Sequence, residues 1–323
     1  MVKRSPVVLI TGGAGFIGSN IARLCLERGY TVRVLDDFSV GSPSNLTELD
    51  VELVKGDVTD ESSVGKASKG AKYIFHEAAA SSSAMFVPDP TEGLRVNVLG
   101  FANTLSCAAK NGVEKVVYAM TSTMYGDSPL PYSEQSLLVR QVPTIYSSSL
   151  LDRYFVAKQL EKTLGIDCVG LVYFSVYGPG EASKRYYANI VSQFLWAMMR
   201  NKRPILYGDG TQSRDFIHVR DVALANVLAA ESAYSGNFMN VGTGTETSMN
   251  EIVSDINSML GKNLQPIYKR NPNFGYNMRQ LADTTKARRE IGFRSSIDVR
   301  NGLKSLLKLY RSGTTFPELD GTG

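Results

Sequence analysis

The stretch TGGAGFIG (11–18) constrains the fold of this chain more than any other. It follows the apolar run VVLIT (7–11) and opens a helical pattern, IGSNIARLCLERG, so Gly12, Gly15 and Gly18 sit in a strand-to-helix turn. Such a turn meets three demands at once: a tight reversal, a backbone that can approach a diphosphate, and a helix N-terminus whose N–H groups and dipole favour negative charge. Phe16 and Ile17 belong to the same loop and are expected beside the ligand. Eighteen residues past Gly18, the run TVRVLD (31–36) ends in Asp36, whose carboxylate can accept the hydroxyls of an adenosine ribose. A carboxylate there repels a 2′-phosphate, so the expected cofactor is NAD rather than NADP.

The runs VELVKG (51–56), YIFHEA (73–78), KVVYAM (115–120) and CVGLVYF (168–174) continue the alternation of short apolar segments with helix-length ones. This pattern predicts an α/β fold, a Rossmann-type doubly wound parallel sheet covered on both faces. After about residue 176 the turns YGPG and YGDG and helices expected near 184–200, 247–260 and 298–311 predict a smaller C-terminal α/β substrate lobe. The expected division is 1–176 for the NAD-binding domain and 177–323 for the lobe, the two interleaved in one continuous fold. In GDVTD (56–60), Asp57 and the Val58 backbone can face the adenine edge, and in HEAAA (76–80), Ala78 and Ala79 leave room for the cofactor, with His76 read as a packed core residue.

A net charge of +4, spread along the chain with no run of five or six Lys or Arg, does not indicate a nucleic-acid or membrane-surface role. Cys25, Cys107 and Cys168 are odd in number and widely spaced, which argues against a disulfide framework and a zinc site, and a reducing cytoplasm fits them. The five-residue apolar run near the start is too short for a signal or membrane-spanning segment.

TGGAGFIG, Asp36, HEAAA, TSTMYGD (121–127), VYFSVYGPG (172–180) and GDGTQSRDFIHVRDV (208–222) together resemble the extended short-chain dehydrogenase/reductase family, in particular its nucleotide-sugar epimerases and dehydratases of the UDP-glucose 4-epimerase type. The resemblance implies an NAD-dependent enzyme that oxidises a hexose carbon, usually C4. In such enzymes a tyrosine phenolate removes the hydroxyl proton, a Ser or Thr holds the same oxygen, and a Lys depresses the tyrosine's pKa, because a phenol titrating near 10 is a poor base at neutral pH. It assigns the Ser/Thr position to Thr121 and adds Asn97 and Tyr173 to the cofactor contacts. Ser122 and Thr123 stand where related dehydratases and decarboxylases carry acids, which favours epimerisation.

In YSSSLLDRYFVAK (146–158) only Tyr154 is followed four residues on by a lysine, Lys158. The spacing implied by the resemblance, about 25 residues after the Ser/Thr and 19 before the GID segment, selects Tyr146 instead. Tyr154 lies roughly 12 Å further along a helix. Leu150 then occupies the lysine position, with Arg153 and Lys158 the next cations on the helix. Near an effective dielectric of 20, a cation about 4–5 Å from a phenolate is worth roughly 3–4 kcal/mol.

For the nucleotide sugar, the resemblance implies contacts from Thr121, Ser122, Ser175, Arg214, Arg279 and Asp283, with Val172 and Ser175 replacing an Arg and an Asn of the usual pattern. A nucleotide-sugar partner, no metal and, by analogy with family dimers, a homodimer are expected. Besides the epimerase, two alternatives stand: a pseudoenzyme that binds NAD or a nucleotide sugar without turnover, and a dehydratase or other modifier with a rearranged base.

Overall fold

The computed structural model describes residues 5–139, 142–270 and 278–318. Six strands are laid down first: β1 (Val7–Thr11), β2 (Thr31–Asp36), β3 (Val51–Lys55), β4 (Ala71–His76), β5 (Lys115–Thr121) and β6 (Asp167–Tyr173), with a seventh, β7 (Asn237–Val241), added late. All pair in parallel in the order β7-β6-β5-β4-β1-β2-β3. Every residue of β5 is buried, as a strand covered on both faces requires.

The helices end where the local sequence dictates. Helix α1 (Phe16–Glu27) starts at Gly15 with no side chain capping its N-terminus. Helix α2 (Glu61–Ala67) is capped by Asp60, which accepts from the amides of Ser62 and Ser63. Helix α3 (Pro90–Leu94) runs through a π-helical turn into α4 (Gly100–Lys110). Helix α5 (Ile145–Leu164) begins at Thr144, whose hydroxyl accepts from the Ser147 amide, and stops at Gly165 in the left-handed conformation.

One face of the sheet packs against α1 and α7 (Val219–Glu231), through Ile21, Cys25, Val222 and Ala225 among others. The other face packs against α2, α4 and α5, through Val64, Leu105, Leu151 and Ala157. A separate core around Trp196, Ile252 and Leu306 joins α6 (Ile190–Met199), α8 (Met249–Leu260) and α10 (Val299–Arg311) into the smaller lobe.

After residue 176 the chain returns to the sheet side with α7 and β7. One expectation changes: the helix expected over 184–200 begins only at Ile190, because residues Glu181–Tyr187 form 3-10 turns interrupted at Arg185, whose φ is 49°. β1 to β3 run outward on one side of the sheet and β4 crosses to the other side of β1, which makes the carboxyl ends of β1 and β4 the topological switch point where ligands of such sheets bind.

Candidate active site

Two cavities open at these carboxyl ends. The first, about 850 Å³, is lined by Gly12, Gly15, Phe16, Ile17 and Gly18 of the first loop, by Asp36, Asp57 and Val58, and by Glu77, Ala78 and Ala79 past β4. Gly12 has φ +66°, and a β-carbon on it would lie 2.7 Å from the Ala78 amide nitrogen, so only glycine lets the two loops meet. Asp36 is buried beneath the loop, its Oδ2 accepting from the Ala14 amide at 2.9 Å and its Oδ1 from the Phe38 amide at 2.8 Å. Burial raises its pKa and the two amides oppose the rise. The uncapped N-terminus of α1, the glycine cradle and this carboxylate fit a dinucleotide: the loop amides suit the diphosphate and Asp36 a ribose. Asp57 is engaged by the Thr59 amide at 2.8 Å and by Arg95 at 3.0 Å.

The second cavity, about 890 Å³, adjoins the first and shares Phe16, Ile17, Glu77, Ala79, Ser81 and Lys184 with it. Thr121, Ser122, Tyr146, Leu150, Tyr173 and Ser175 line it. Burial raises the pKa of the Tyr146 phenol, while a hydrogen bond with the Thr121 side chain and the charge of Arg153 pull it back. The Thr121 hydroxyl also lies 2.9 Å from that of Thr123, which in turn meets Ser147 at 2.9 Å, so a chain of hydroxyls ties the end of β5 to the start of α5.

The two tyrosines of α5 separate cleanly. Tyr154 packs edge-on against Phe238 of β7, with ring centroids 5.0 Å apart, and the Lys158 ammonium donates to the Gly236 carbonyl at 2.9 Å, away from both cavities. His76 is fully buried between the hydroxyls of Thr11 (3.0 Å) and Thr104 (3.1 Å), and burial holds its pKa well below the usual range.

Four expected contacts are not brought to either cavity wall. Asn97 is buried behind it, its amide bridging Ala80 and Ser149, because the π-helical turn at Arg95–Leu99 aims it into the core. Arg214 donates to the Ser213 carbonyl at 2.7 Å, and Arg279 pairs with Glu246 through Nε at 3.1 Å. Asp283, just before α9 (Thr285–Ile291), accepts from the Thr285 amide at 2.9 Å. Asp215, between Arg214 and Phe216, is a structural carboxylate that accepts from the amides of Thr243, Gly244 and Ala282. Val172 is fully buried in the core.

The structure adds residues that the sequence reading did not place in the site: Glu77, Lys184 and Gln280. Glu77 lines both cavities, accepts from the Tyr173 hydroxyl at 2.7 Å, and is pushed up to about 8 by burial against the opposing pull of Tyr173 and Arg153. Its signal was a carboxylate lying among the small residues of HEAAA at a strand end. Lys184 also lines both cavities, its ammonium 5.9 Å from the centre of the Phe16 ring.

The profile of the family described as "NAD dependent epimerase/dehydratase family" matches residues 8–242. The chain belongs to this family. Its cofactor is accordingly NAD, which the glycine cradle and Asp36 fit. The chain is 33% identical over 309 residues to a putative UDP-glucose 4-epimerase of Methanocaldococcus jannaschii, covering 95% of this chain and 99% of that protein. It is 30% identical over 319 residues to a UDP-N-acetyl-alpha-D-glucosaminuronate decarboxylase of Bacillus cytotoxicus, covering 94% and 97%. Among solved structures, the UDP-N-acetylglucosamine 4-epimerase of Methanobrevibacter ruminantium, in complex with UDP-N-acetylmuramic acid, superposes with a TM-score of 0.89 at 29% identity, covering 97% of this chain and 100% of that one.

Proposed function

We propose that this protein is an NAD-dependent nucleotide-sugar 4-epimerase of the UDP-glucose/UDP-galactose type or an N-acetylated relative. The observation that carries the reading is the meeting of Tyr146 and Thr121 in the cavity that adjoins the dinucleotide cavity. NAD, which the glycine cradle and Asp36 would hold, would supply a reversible hydride acceptor for the sugar carbon. Tyr146 removes the hydroxyl proton at that carbon and later returns it, and Thr121 holds the same oxygen in line. Ser122 and Thr123 offer no carboxylate there to move a second proton. Arg279 and Arg214, neighbours across the Ser213–Arg279 bridge, are proposed to meet the diphosphate after a rotamer change. A homodimer is proposed to cover the exposed Leu94, Leu99 and Phe155.

A second reading has its own support. Glu77 is a carboxyl at the wall of the sugar cavity with a pKa near the working range, and could serve a dehydratase as its rearranged base. Incubation with a panel of UDP-linked and other nucleotide sugars, read by NMR and mass spectrometry, separates the two. C4 epimers of unchanged mass are expected. Loss of water supports the dehydratase, and no product from any sugar with NAD still bound overturns both.

A further inference from the structure

We infer that Arg153 is the positioning residue that makes Tyr146 competent as a base, its guanidinium supplying from behind the cavity wall the charge that Leu150 cannot. The inference rests on Tyr146 being the base in the function proposed above.

Tyr146, Leu150 and Arg153 stand at i, i+4 and i+7 of α5, on one face, and helical side chains lean back towards the N-terminus, so Arg153 reaches along the axis towards Tyr146. Its side chain is fully buried. Its Nε donates to the Asn97 carbonyl at 2.9 Å, one terminal nitrogen to Ala119 at 3.1 Å and the other to Ala78 at 2.8 Å. Ala78 lines the cofactor cavity and Ala119 the sugar cavity, so the charge lies one peptide behind each wall.

All three partners are neutral carbonyls. A buried cation held only by dipoles draws on any nearby group that can become negative. The groups that feel it are Glu77 past β4, Tyr118 on β5, Tyr146 on its own helix and Tyr173 on β6, with His76 at the end of β4. Tyr118 is sealed in the core against Phe101, and Tyr173 donates its proton to Glu77. Tyr173 also lines the sugar cavity, but its proton is engaged by Glu77. Burial lowers Arg153 only to about 10, so it is a cation at neutral pH. Tyr146 is thus the cavity phenol not tied to Glu77 on which the charge acts.

A purely structural Arg153, a staple for three carbonyls, would depend on the forked guanidinium and not on charge. The test therefore uses NAD-loaded protein carrying Arg153→Met, which removes the charge, and Arg153→Lys, which keeps the charge and loses the fork. The ionisation of Tyr146 is read as the phenolate absorbance of wild type minus that of Tyr146→Phe against pH. Arg153→Met is expected to raise the midpoint by about one pH unit or more, a tenfold loss of phenolate, and Arg153→Lys to recover most of it. The acidic limb of kcat moves with the midpoint while KM for the nucleotide sugar stays within about threefold. A midpoint unmoved in Arg153→Met, or a lysine variant that behaves like the methionine one, overturns the inference. If Arg153→Met fails to fold, Arg153→Gln, which keeps a hydrogen-bonding side chain without the charge, decides by the same titration: a midpoint raised by about one pH unit or more is expected, and a midpoint that stays lower than that overturns the inference. Absence of turnover in the wild type with any nucleotide sugar would remove the proposed function, whereas the phenolate titration needs no substrate and still judges Arg153.

Discussion

The cavity that fits the cofactor and the cavity proposed for the sugar share a wall but are built by different means. The first has at its centre a backbone-built cradle, glycines 12, 15 and 18 and the free end of α1, with the Asp36 carboxylate beside it, all within residues 11–36, and residues such as Asp57, Val58, Ala78 and Ala79 complete its walls. The second is made of side chains gathered from β4, β5, α5, β6, the turns at 181–187 and Gln280. A backbone-built site is specified by a short local motif, because turn geometry and helix ends are local properties. A side-chain-built site is specified only once the whole chain has folded, and it can change chemistry by single substitutions without loss of the fold.

The sharpest way to break this contrast is to put a β-carbon into the backbone-built half. Gly12→Ala forces a left-handed residue against the Ala78 amide, and NAD affinity measured by calorimetry should fall by about a hundredfold or more, or the protein should fail to fold. Retained affinity would mean that the loop does not carry the cofactor. Asp36→Asn tests the carboxylate that stands beside that cradle. The preference for NAD over NADP should drop by about tenfold, with nucleotide-sugar affinity unchanged. A fall in both would show that the two cavities are not separable in this way.

At the junction, Glu77 links stability to pH. Its folded pKa, about 8, lies above its ordinary 4.5, so the folded protein holds a proton that the unfolded chain releases between those values. Stability is greatest below that window and is lost as pH rises through it. The melting temperature of the wild type without NAD should therefore fall relative to Glu77→Gln from pH 5 to pH 8, and parallel curves for the two proteins would contradict the assignment. The smallest effect belongs to the outer edge of the sugar side. Arg279 pairs with Glu246 at an exposed position, so Arg279→Ala should leave the melting temperature nearly unchanged, while KM for the nucleotide sugar rises if the arginine turns to the diphosphate.

The sheet was legible because its strands are buried on both faces and read as unbroken apolar runs; those at 7–11 and 31–36 match the structure to the residue. The expected helix over 184–200 was too long because nothing in the pattern reveals the positive φ of Arg185. On the sugar side, motif spacing led to Tyr146 and Thr121, both on the cavity wall, but placed Arg214, Arg279 and Asp283 there as well, where folding has engaged them with other partners. Glu77 and Lys184 were missed for the converse reason. Each is a lone charged residue in sequence and becomes part of a site only when two cavities meet around it.

The central claim is that the inward face of α5 carries the chemistry, and a paired rate measurement tests it most directly. With the nucleotide sugar that the wild type turns over, kcat of Tyr146→Phe should fall about a thousandfold, and that of Tyr154→Phe, whose ring only packs against Phe238, should stay within about threefold. Loss of activity in Tyr154→Phe with Tyr146→Phe still active would contradict the account.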